Sequence, residues 1–224
     1  MHELESVQRV DLIRKVCAGK RVLHLGCTNY PYTHDAIDAG MLLHLDLEKI
    51  ASEVCGIDAD LEGLNILERH GSKNLVQCDL EALEQCSLDS TFDVILAGEV
   101  IEHVNNPGLF LSGLRRFMTE STDLVITTVN AYCAMRFFHY GARGKGGRAE
   151  PTHPDHVAHY SYSTLKLLLE RHGFGVKHFY FYDLGNEHRR FVPWYLKVVN
   201  DISVALVPQW SDGVIAICRL KDAA

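Results

Sequence analysis

The chain alternates short runs rich in β-branched and apolar residues with longer amphipathic stretches. The runs are bounded by glycine, asparagine or acidic residues, which is typical of strands that end in turns. Between the runs, apolar residues recur every three to four positions, which predicts helices. The predicted strands lie in residues 20–27, 51–60, 73–80, 91–100, 121–130, 175–184 and 212–220. The predicted helices lie in residues 4–16, 61–70, 109–118 and 163–172.

Strands that alternate with helices of about 10–15 residues predict a doubly wound α/β fold. We expect a seven-stranded, mostly parallel sheet, in which the last two strands form an edge and the final strand is antiparallel. Ser163 and Gly173 are the predicted cap residues of the last helix. Pro107 predicts a first helical turn, with Asn105 or Asn106 as its N-cap.

No linker divides the sequence, so we expect one domain over residues 1–224. The stretch 131–160 lacks periodicity and is too long for an ordinary connection, which predicts a lid over the substrate. Before residue 150 this stretch carries basic residues and no acid, which favours either attraction of an acidic substrate or a solvated, mobile loop. These basic residues are Arg136, Arg143, Lys145 and Arg148.

Composition narrows the class of protein. The 224 residues are 47% hydrophobic, which suffices for one full-sized core. The net charge of −7 argues against a surface built for polyanions, so nucleic acid is not an expected partner. There is no run of 18 apolar residues and no apolar signal core, so a membrane partner is not expected. Seven cysteines without a CxxC spacing favour a reduced, cytoplasmic setting. The sequence leaves the oligomeric state open.

Ligands of doubly wound folds bind where the parallel strands end. Gly26 follows the first strand and Asp58 the second, and a glycine turn followed by an acid after the next strand is the outline of a nucleoside site. The segment "GCTNYPYTH" lacks the GxGxxG pattern of dinucleotide folds, and the sequence has no GxxxxGK[ST] phosphate loop. The residues expected at this rim are Gly26, Asp58, Asp79, Gly98, Glu99, Glu102, His103, Thr128 and Asn130.

Five segments, in order, resemble the class I S-adenosylmethionine-dependent methyltransferases. They are "VLHLGC", "VCGIDAD", "LVQCDLEAL", "FDVILAGEVIEHV" and "DLVITTVN". The later pattern "HPDHV…YS…TL…LL…GF" is similar to bacterial methyltransferases of glycan and small-metabolite pathways. The resemblance covers about residues 20–220 and implies a Rossmann-like methyltransferase fold, with S-adenosylmethionine as the cofactor.

The resemblance also implies cofactor contacts at the strand ends. They are Gly26, Cys27 and Thr28 for the methionine part, Asp58 and Ala59 for the ribose, Asp79 and Leu80 for the adenine, and Gly98 near the sulfonium. The sequence departs from the family at His24, where aspartate is usual, and at residues 26–30, where GxGxG is usual.

The segment "GEVIEHV" after the fourth strand places Glu99, Glu102 and His103 on one face of a helical turn. Methyl transfer to a hydroxyl requires the loss of a proton, and a histidine at this rim suits a general base. Two carboxylates and an imidazole also suit Mg²⁺, Mn²⁺ or Zn²⁺. A third interpretation is structural, because glutamate at a helix start suits the helix dipole.

The arrangement E-x-x-E-H resembles the metal site of small-RNA terminal 2′-O-methyltransferases and the substrate site of ubiquinone-pathway O-methyltransferases. His156 stands where the former family adds a later histidine. The resemblance therefore implies Glu99, Glu102, His103 and His156 as the catalytic residues and as a metal-binding set. We favour the direct base over the metal, and we expect His153 to be an ordinary loop residue.

These observations predict methyl transfer from S-adenosylmethionine to a small polar metabolite or glycan precursor, on oxygen rather than nitrogen. One alternative is an RNA 2′-O-methyltransferase with a metal site, which would favour a broad basic face. Another is a non-catalytic cofactor-binding protein of the same fold.

Overall fold

The described residues of a computed structural model, 5–143, 153–185, 189–190 and 192–221, form a sheet with helices on both faces. Its strands are β1 (Glu5–Val7), β2 (Arg21–Leu25), β3 (Glu53–Asp58), β4 (Leu75–Gln77), β5 (Val94–Gly98), β6 (Asp123–Val129), β7 (Phe174–Tyr182) and β8 (Gly213–Leu220). The helices are α1 (Arg9–Cys17), α2 (Thr33–Asp38), α3 (Leu43–Ile50), α4 (Leu61–Arg69), α5 (Pro107–Leu114), α6 (Ala134–Arg143), α7 (Tyr162–Arg171) and α8 (Trp194–Leu206).

The strand order is β1-β7-β8-β6-β5-β2-β3-β4. Neighbouring strands pair in parallel except at β8, which runs antiparallel to both β6 and β7. The predicted doubly wound, mostly parallel sheet with an antiparallel last strand is therefore confirmed. Strand β2 pairs with β3 on one side and with β5 on the other. The strand order therefore reverses between β2 and β5, and a ligand crevice is expected at the carboxyl ends of β2 and β5.

Two of the strand predictions are wrong. Residues 5–7, predicted as the start of a helix, form β1, which pairs with β7 and raises the number of strands to eight. The last two strands do not form an edge, because β8 lies between β6 and β7 and β1 covers the outer side of β7. A three-residue strand is too short to show a period that separates it from the helix that follows.

The helix caps follow the sequence closely. Pro107 is the first residue of α5, and the Asn106 side chain caps it as predicted. Gly173 follows α7 with a φ of +82°, the left-handed backbone expected of a C′ glycine. The N-cap of α7 is Ser161 and not Ser163, since Ser161 makes the reciprocal hydrogen bonds of a capping box.

Sequence analysis did not predict α2, α3, α6 and α8. Helix α6 lies in the stretch expected to act as a lid, and residues 144–152 of that stretch, with Lys145 and Arg148, lie outside the described residues. Arg136 on α6 forms an ion pair with Asp212 at 2.7 Å, and both side chains are largely buried. Arg136 is therefore not part of a basic patch that could attract an acidic substrate.

The sheet separates two apolar layers. Alternate residues of each strand point to opposite faces, so Val22 and Leu96 pack with α1 and α3, whereas Leu23 and Ile95 pack with α5 and α7. The seven cysteines are free thiols, six of them buried, as expected of small apolar side chains. Among the described residues, no helix is both long and apolar enough to cross a bilayer.

His24, at the position where the resembling family usually has aspartate, is buried against His44. The two rings stack with centroids 5.4 Å apart, and their Nδ1 atoms lie 3.2 Å apart, so one ring donates a hydrogen bond to the other. Burial, and then the charges of His44 and Arg9, lower the pKa of His24 well below its usual value. Burial lowers the pKa of His44 to about 4, although Glu48 Oε1 lies 3.7 Å from its Nε2. Both rings are neutral at neutral pH.

Acid is expected to destabilise the fold through His44. The imidazole titrates at 6.5 when unperturbed, whereas the buried ring stays neutral down to about 4. Between these values the unfolded chain binds a proton that the folded chain does not. The neutral His44 ring therefore costs no stability above about pH 6.5. As the pH is lowered below that value, the free energy of unfolding falls by up to about 3 kcal/mol.

Urea unfolding at about pH 7, 6 and 5 measures this loss. The variant His44→Gln is expected to lose less stability over that range than the wild type, because it removes the ionisable ring. His34→Gln, at an exposed position of α2, serves as the control and should keep the wild-type dependence. If the free energy of unfolding depended equally on pH in all three proteins, the lowered pKa of His44 would be contradicted.

Candidate active site

The loop after β2 and the turn after β5 meet at Gly26. This glycine has a φ of +67°, and a Cβ there would lie only 2.6 Å from Val100 Cγ2. A side chain would therefore force the two segments apart. The predicted cofactor loop and the predicted catalytic turn are in direct contact at this rim.

Thr28 joins the loop after β2 to the end of β3. Its backbone N–H and its hydroxyl donate to Asp58 Oδ2 at 3.0 and 2.9 Å, and Asp60 N–H donates to Asp58 Oδ1 at 3.0 Å. Thr28 and its neighbour Cys27 are buried, whereas Asp58 is half-buried. The two oxygens of a carboxylate offer about four acceptor sites, and these three hydrogen bonds leave Asp58 with capacity for a ligand hydroxyl.

Two hydrogen bonds order the end of β4 and the segment that follows it. Gln77 Nε2 donates to the Ala59 carbonyl at 3.3 Å, and exposed Asp79 accepts Glu81 N–H at 2.8 Å beside half-buried Leu80. The segment that should contact the adenine is therefore ordered by its own side chains.

Glu81 then links this segment to the end of the turn after β5. Its carboxylate accepts the backbone N–H groups of Asn105 and Asn106 at 2.7 and 2.8 Å and the side-chain amide of Asn105 at 3.2 Å. The predicted adenine side of the site and the predicted catalytic turn are thus held together by one carboxylate.

Glu99 follows Gly98 at the end of β5 and has a φ of +55°, a left-handed backbone that glutamate rarely adopts. Its Oε1 accepts hydrogen bonds from Tyr182 OH at 2.6 Å and Thr127 Oγ1 at 2.8 Å. Burial alone would raise the pKa of Glu99, but the positive charge of Arg9 and these two hydrogen bonds outweigh it and lower the pKa. Glu99 is therefore ionised at neutral pH.

Glu102, one turn further on, is fully buried. Its Oε2 accepts Thr128 Oγ1–H at 2.8 Å, and its Oε1 has no hydrogen-bond partner among the described side chains and backbone. Burial and the negative charge of Glu99 raise the pKa of Glu102 to about 9. The two carboxyls therefore carry one negative charge and one proton at neutral pH.

His103, on the same turn, faces the segment that begins at residue 153. Its ring centroid lies 4.7 Å from that of His156 and 5.7 Å from that of His153. Burial and the charge of His153 lower the pKa of His103. Burial and the neighbouring rings of His103, His153 and His159 lower the pKa of His156 to about 4. The rings of His103 and His156 therefore keep a free lone pair at neutral pH.

Sequence analysis missed two residues of this rim. Tyr182 ends β7, which runs in the same direction as β5, so the strand-end rule that selects Asp58 could have found it. His153, expected to be an ordinary loop residue, lies against both other histidines. The only signal for it is the spacing of two histidines in "HPDH", which by itself is weak.

Comparison with known proteins gives one family. A family model described as "Methyltransferase domain" matches residues 12–178. Ubiquinone biosynthesis O-methyltransferase of Hahella chejuensis is 29% identical over 137 residues, which are 58% of this chain and 52% of that protein. The mitochondrial ubiquinone biosynthesis O-methyltransferase of Rattus norvegicus is 32% identical over 123 residues, 52% of this chain and 32% of that protein. The match thus spans about half of the Hahella chejuensis protein and about a third of the Rattus norvegicus protein.

Solved structures show the same fold. A SAM-dependent methyltransferase from Archaeoglobus fulgidus has a TM-score of 0.56 and 21% identity, with 94% of each chain covered. Another from Aquifex aeolicus has a TM-score of 0.57 and 19% identity, with 95% of this chain and 90% of that chain covered. At these identities the likeness concerns the arrangement of helices and strands.

Proposed function

The chain belongs to the methyltransferase-domain family, and from that premise we propose that it transfers a methyl group from S-adenosylmethionine to a hydroxyl oxygen of a small polar metabolite or glycan precursor. The family supports methyl transfer and its usual cofactor. The two relatives are named O-methyltransferases, which supports oxygen as the acceptor atom.

One observation carries the proposal: the turn after β5 gathers acid–base groups directly beside the cofactor loop. Glu99 and Glu102 are fixed by hydroxyl groups from β6 and β7, and His103 emerges from the same turn. The contact between Gly26 and Val100 places this turn against the loop after β2. A purely structural helix start would not need a buried, protonated carboxyl beside an ionised one.

The proposed cofactor contacts follow from the strand ends. Asp58 accepts the ribose hydroxyls, Asp79 and Leu80 flank the adenine, and Gly98 lies near the sulfonium. The loop of Gly26, Cys27 and Thr28 supports the methionine part. The fixed negative charge of Glu99 suits the positive charge of the sulfonium.

The proposed reaction is an in-line displacement. The acceptor oxygen forms a bond to the methyl carbon while the bond from that carbon to sulfur breaks, which leaves S-adenosylhomocysteine. The hydroxyl proton leaves the acceptor at the imidazole face of the turn, where His103 and His156 lie, and passes to solvent. Thr127, Thr128 and Tyr182 hold the two glutamates behind that face.

Calorimetric titration with S-adenosylmethionine and S-adenosylhomocysteine tests the cofactor, and transfer of a labelled methyl group to a panel of hydroxylated metabolites and sugar phosphates tests the acceptor. Binding of both cofactor forms and methyl ethers as products are expected. No binding at millimolar cofactor would contradict the proposal, whereas cofactor binding without transfer to any acceptor would favour the non-catalytic cofactor-binding protein. Preferential labelling of a small RNA would favour the RNA 2′-O-methyltransferase alternative.

A further inference from the structure

Helix α5 and the segment after β4 pack together as one unit. Leu83, in this segment, is fully buried, and a Cβ at Gly113 of α5 would lie only 2.7 Å from Leu83 Cβ. Arg116, two residues after α5, donates from its guanidinium to four backbone carbonyls between residues 83 and 88, at 2.9–3.1 Å. Because close-packed groups transmit displacement, a shift of the segment is expected to move α5 with it.

Glu81 connects this segment to the end of the turn that carries His103. Its Oε1 accepts the backbone N–H of Asn105 at 2.7 Å and the side-chain amide of Asn105 at 3.2 Å. Its Oε2 accepts the backbone N–H of Asn106, the N-cap residue of α5, at 2.8 Å. Asn105 and Asn106 are the second and third residues after His103. Both oxygens of one carboxylate therefore hold the junction between the turn and the helix, where a negative charge also suits the helix dipole.

The other end of this connection is Asp79. Its Oδ1 accepts the backbone N–H of Glu81 at 2.8 Å, and its carbonyl accepts the backbone N–H of Ala82 at 3.0 Å. Asp79 and Leu80 are the residues that we propose to flank the adenine. A chain of hydrogen bonds therefore runs from the proposed adenine contact, through Glu81, to the end of the turn.

The two ends of the turn are held in different ways. Glu99, at its start, accepts hydrogen bonds from Tyr182 and Thr127 on β7 and β6. Asn105 and Asn106, at its end, are exposed, so water can satisfy their N–H groups when the Glu81 carboxylate is removed. Loss of this carboxylate should therefore cost little folding free energy and should release the end of the turn.

We propose that Glu81 is a positioning residue that couples occupancy of the adenine site to the placement of the turn that carries His103. The proposal rests on the proposed function, because it takes Asp79 and Leu80 as adenine contacts. A cofactor that fixes Asp79 also fixes the backbone of Glu81, and the carboxylate then holds the end of the turn in place for methyl transfer. By linkage, an acceptor that binds better to the held turn strengthens cofactor binding by the same factor.

Amide hydrogen exchange with and without saturating S-adenosylhomocysteine measures this coupling. The reporters are the N–H groups of His103 and Leu109. Their acceptors, the Val100 carbonyl and Asn106 Oδ1, stay in place when residue 81 is changed. In the wild type we expect S-adenosylhomocysteine to slow their exchange by about fivefold or more, since coupling between sites is typically about 5- to 150-fold. In Glu81→Ala we expect most of this slowing to be lost.

Two further variants sharpen the test. Glu81→Gln keeps one side-chain carbonyl oxygen as an acceptor and should retain an intermediate part of the slowing. Glu84→Ala removes an exposed carboxylate three positions later in the same segment and should behave as the wild type. Thermal melting by circular dichroism should give both Glu81 variants nearly the wild-type melting temperature, because the donors that they release are exposed to water.

Equal slowing in Glu81→Ala and the wild type would overturn the proposal, and so would the absence of slowing in wild-type protein that has bound S-adenosylhomocysteine. A large fall in the melting temperature of both Glu81 variants would also overturn it, because it would assign Glu81 a general structural role. Calorimetry on the same samples separates these results from a failure of the proposed function, which would appear as no binding of S-adenosylhomocysteine to the wild type.

Discussion

Replacement of His103 by alanine is expected to lower kcat by about 10²–10⁴-fold, the usual range for the loss of a group that mediates proton transfer. His103 lies on the turn after β5, at the face where we propose that the acceptor loses its proton. The ribose and adenine contacts proposed at the ends of β3 and β4 come from other segments. The dissociation constant for S-adenosylmethionine should therefore stay at its wild-type value.

Steady-state kinetics on the identified acceptor measure kcat, and calorimetry measures the dissociation constant for S-adenosylmethionine. His178→Ala is the control, because His178 is an exposed histidine in the middle of β7. A His103→Ala protein with normal turnover would remove His103 from both the proton-transfer and the metal-binding roles. Equal losses in turnover and cofactor affinity would instead indicate a general disturbance of the rim.

Replacement of Asp58 by alanine is expected to weaken S-adenosylmethionine binding by about 1–3 kcal/mol, or about 5- to 150-fold in the dissociation constant. The substitution removes the expected charge-assisted bond to the ribose. It also removes the acceptor of both Thr28 hydrogen bonds, so the loop after β2 loses two of its hydrogen bonds to β3.

Asp58→Asn separates these two causes, because asparagine keeps a carbonyl oxygen for Thr28 but loses the charge. If Asp58→Asn loses less cofactor affinity than Asp58→Ala, the difference between the two losses is due to the disturbed loop after β2. Glu68→Ala removes an exposed carboxylate from α4 and serves as the control. An unchanged cofactor affinity in folded Asp58→Ala would exclude Asp58 from the site.

The parts of the fold that the sequence predicts are those with a regular apolar period. Strands β2, β5 and β6 are buried apolar runs with clear ends, and α4 carries a strong amphipathic pattern between them. Helix α8 was overlooked although Trp194, Val198, Ile202 and Leu206 recur every four positions; these side chains are exposed, so this stripe predicts a helix but does not mark its buried face. The structure places β1 at the sheet edge through pairing with β7, a contact between residues far apart in sequence.

The candidate site likewise has a part that the sequence predicts and a part that it does not. Glu99, Glu102 and His103 are adjacent in sequence, and one motif suffices to find them. Their functional state depends on partners from distant segments, since Arg9, Tyr182 and Thr127 lower the pKa of Glu99, and burial together with the charge of Glu99 raises the pKa of Glu102. No local pattern carries that information, because it arises only when β5, β6 and β7 align at one rim.

The left-handed backbone of Glu99 has a consequence for laboratory evolution. A non-glycine residue in this conformation costs about 1–2 kcal/mol of folding free energy, which glycine would recover in large part. Glycine at position 99 would also delete the carboxylate that accepts hydrogen bonds from the buried Tyr182 and Thr127 hydroxyls, and each buried hydroxyl left without a partner costs about 1–3 kcal/mol. The gain in backbone freedom is therefore offset by the loss of these hydrogen bonds. Libraries that seek thermostable variants should keep glutamate at this position, because its backbone and its side chain favour opposite residues there.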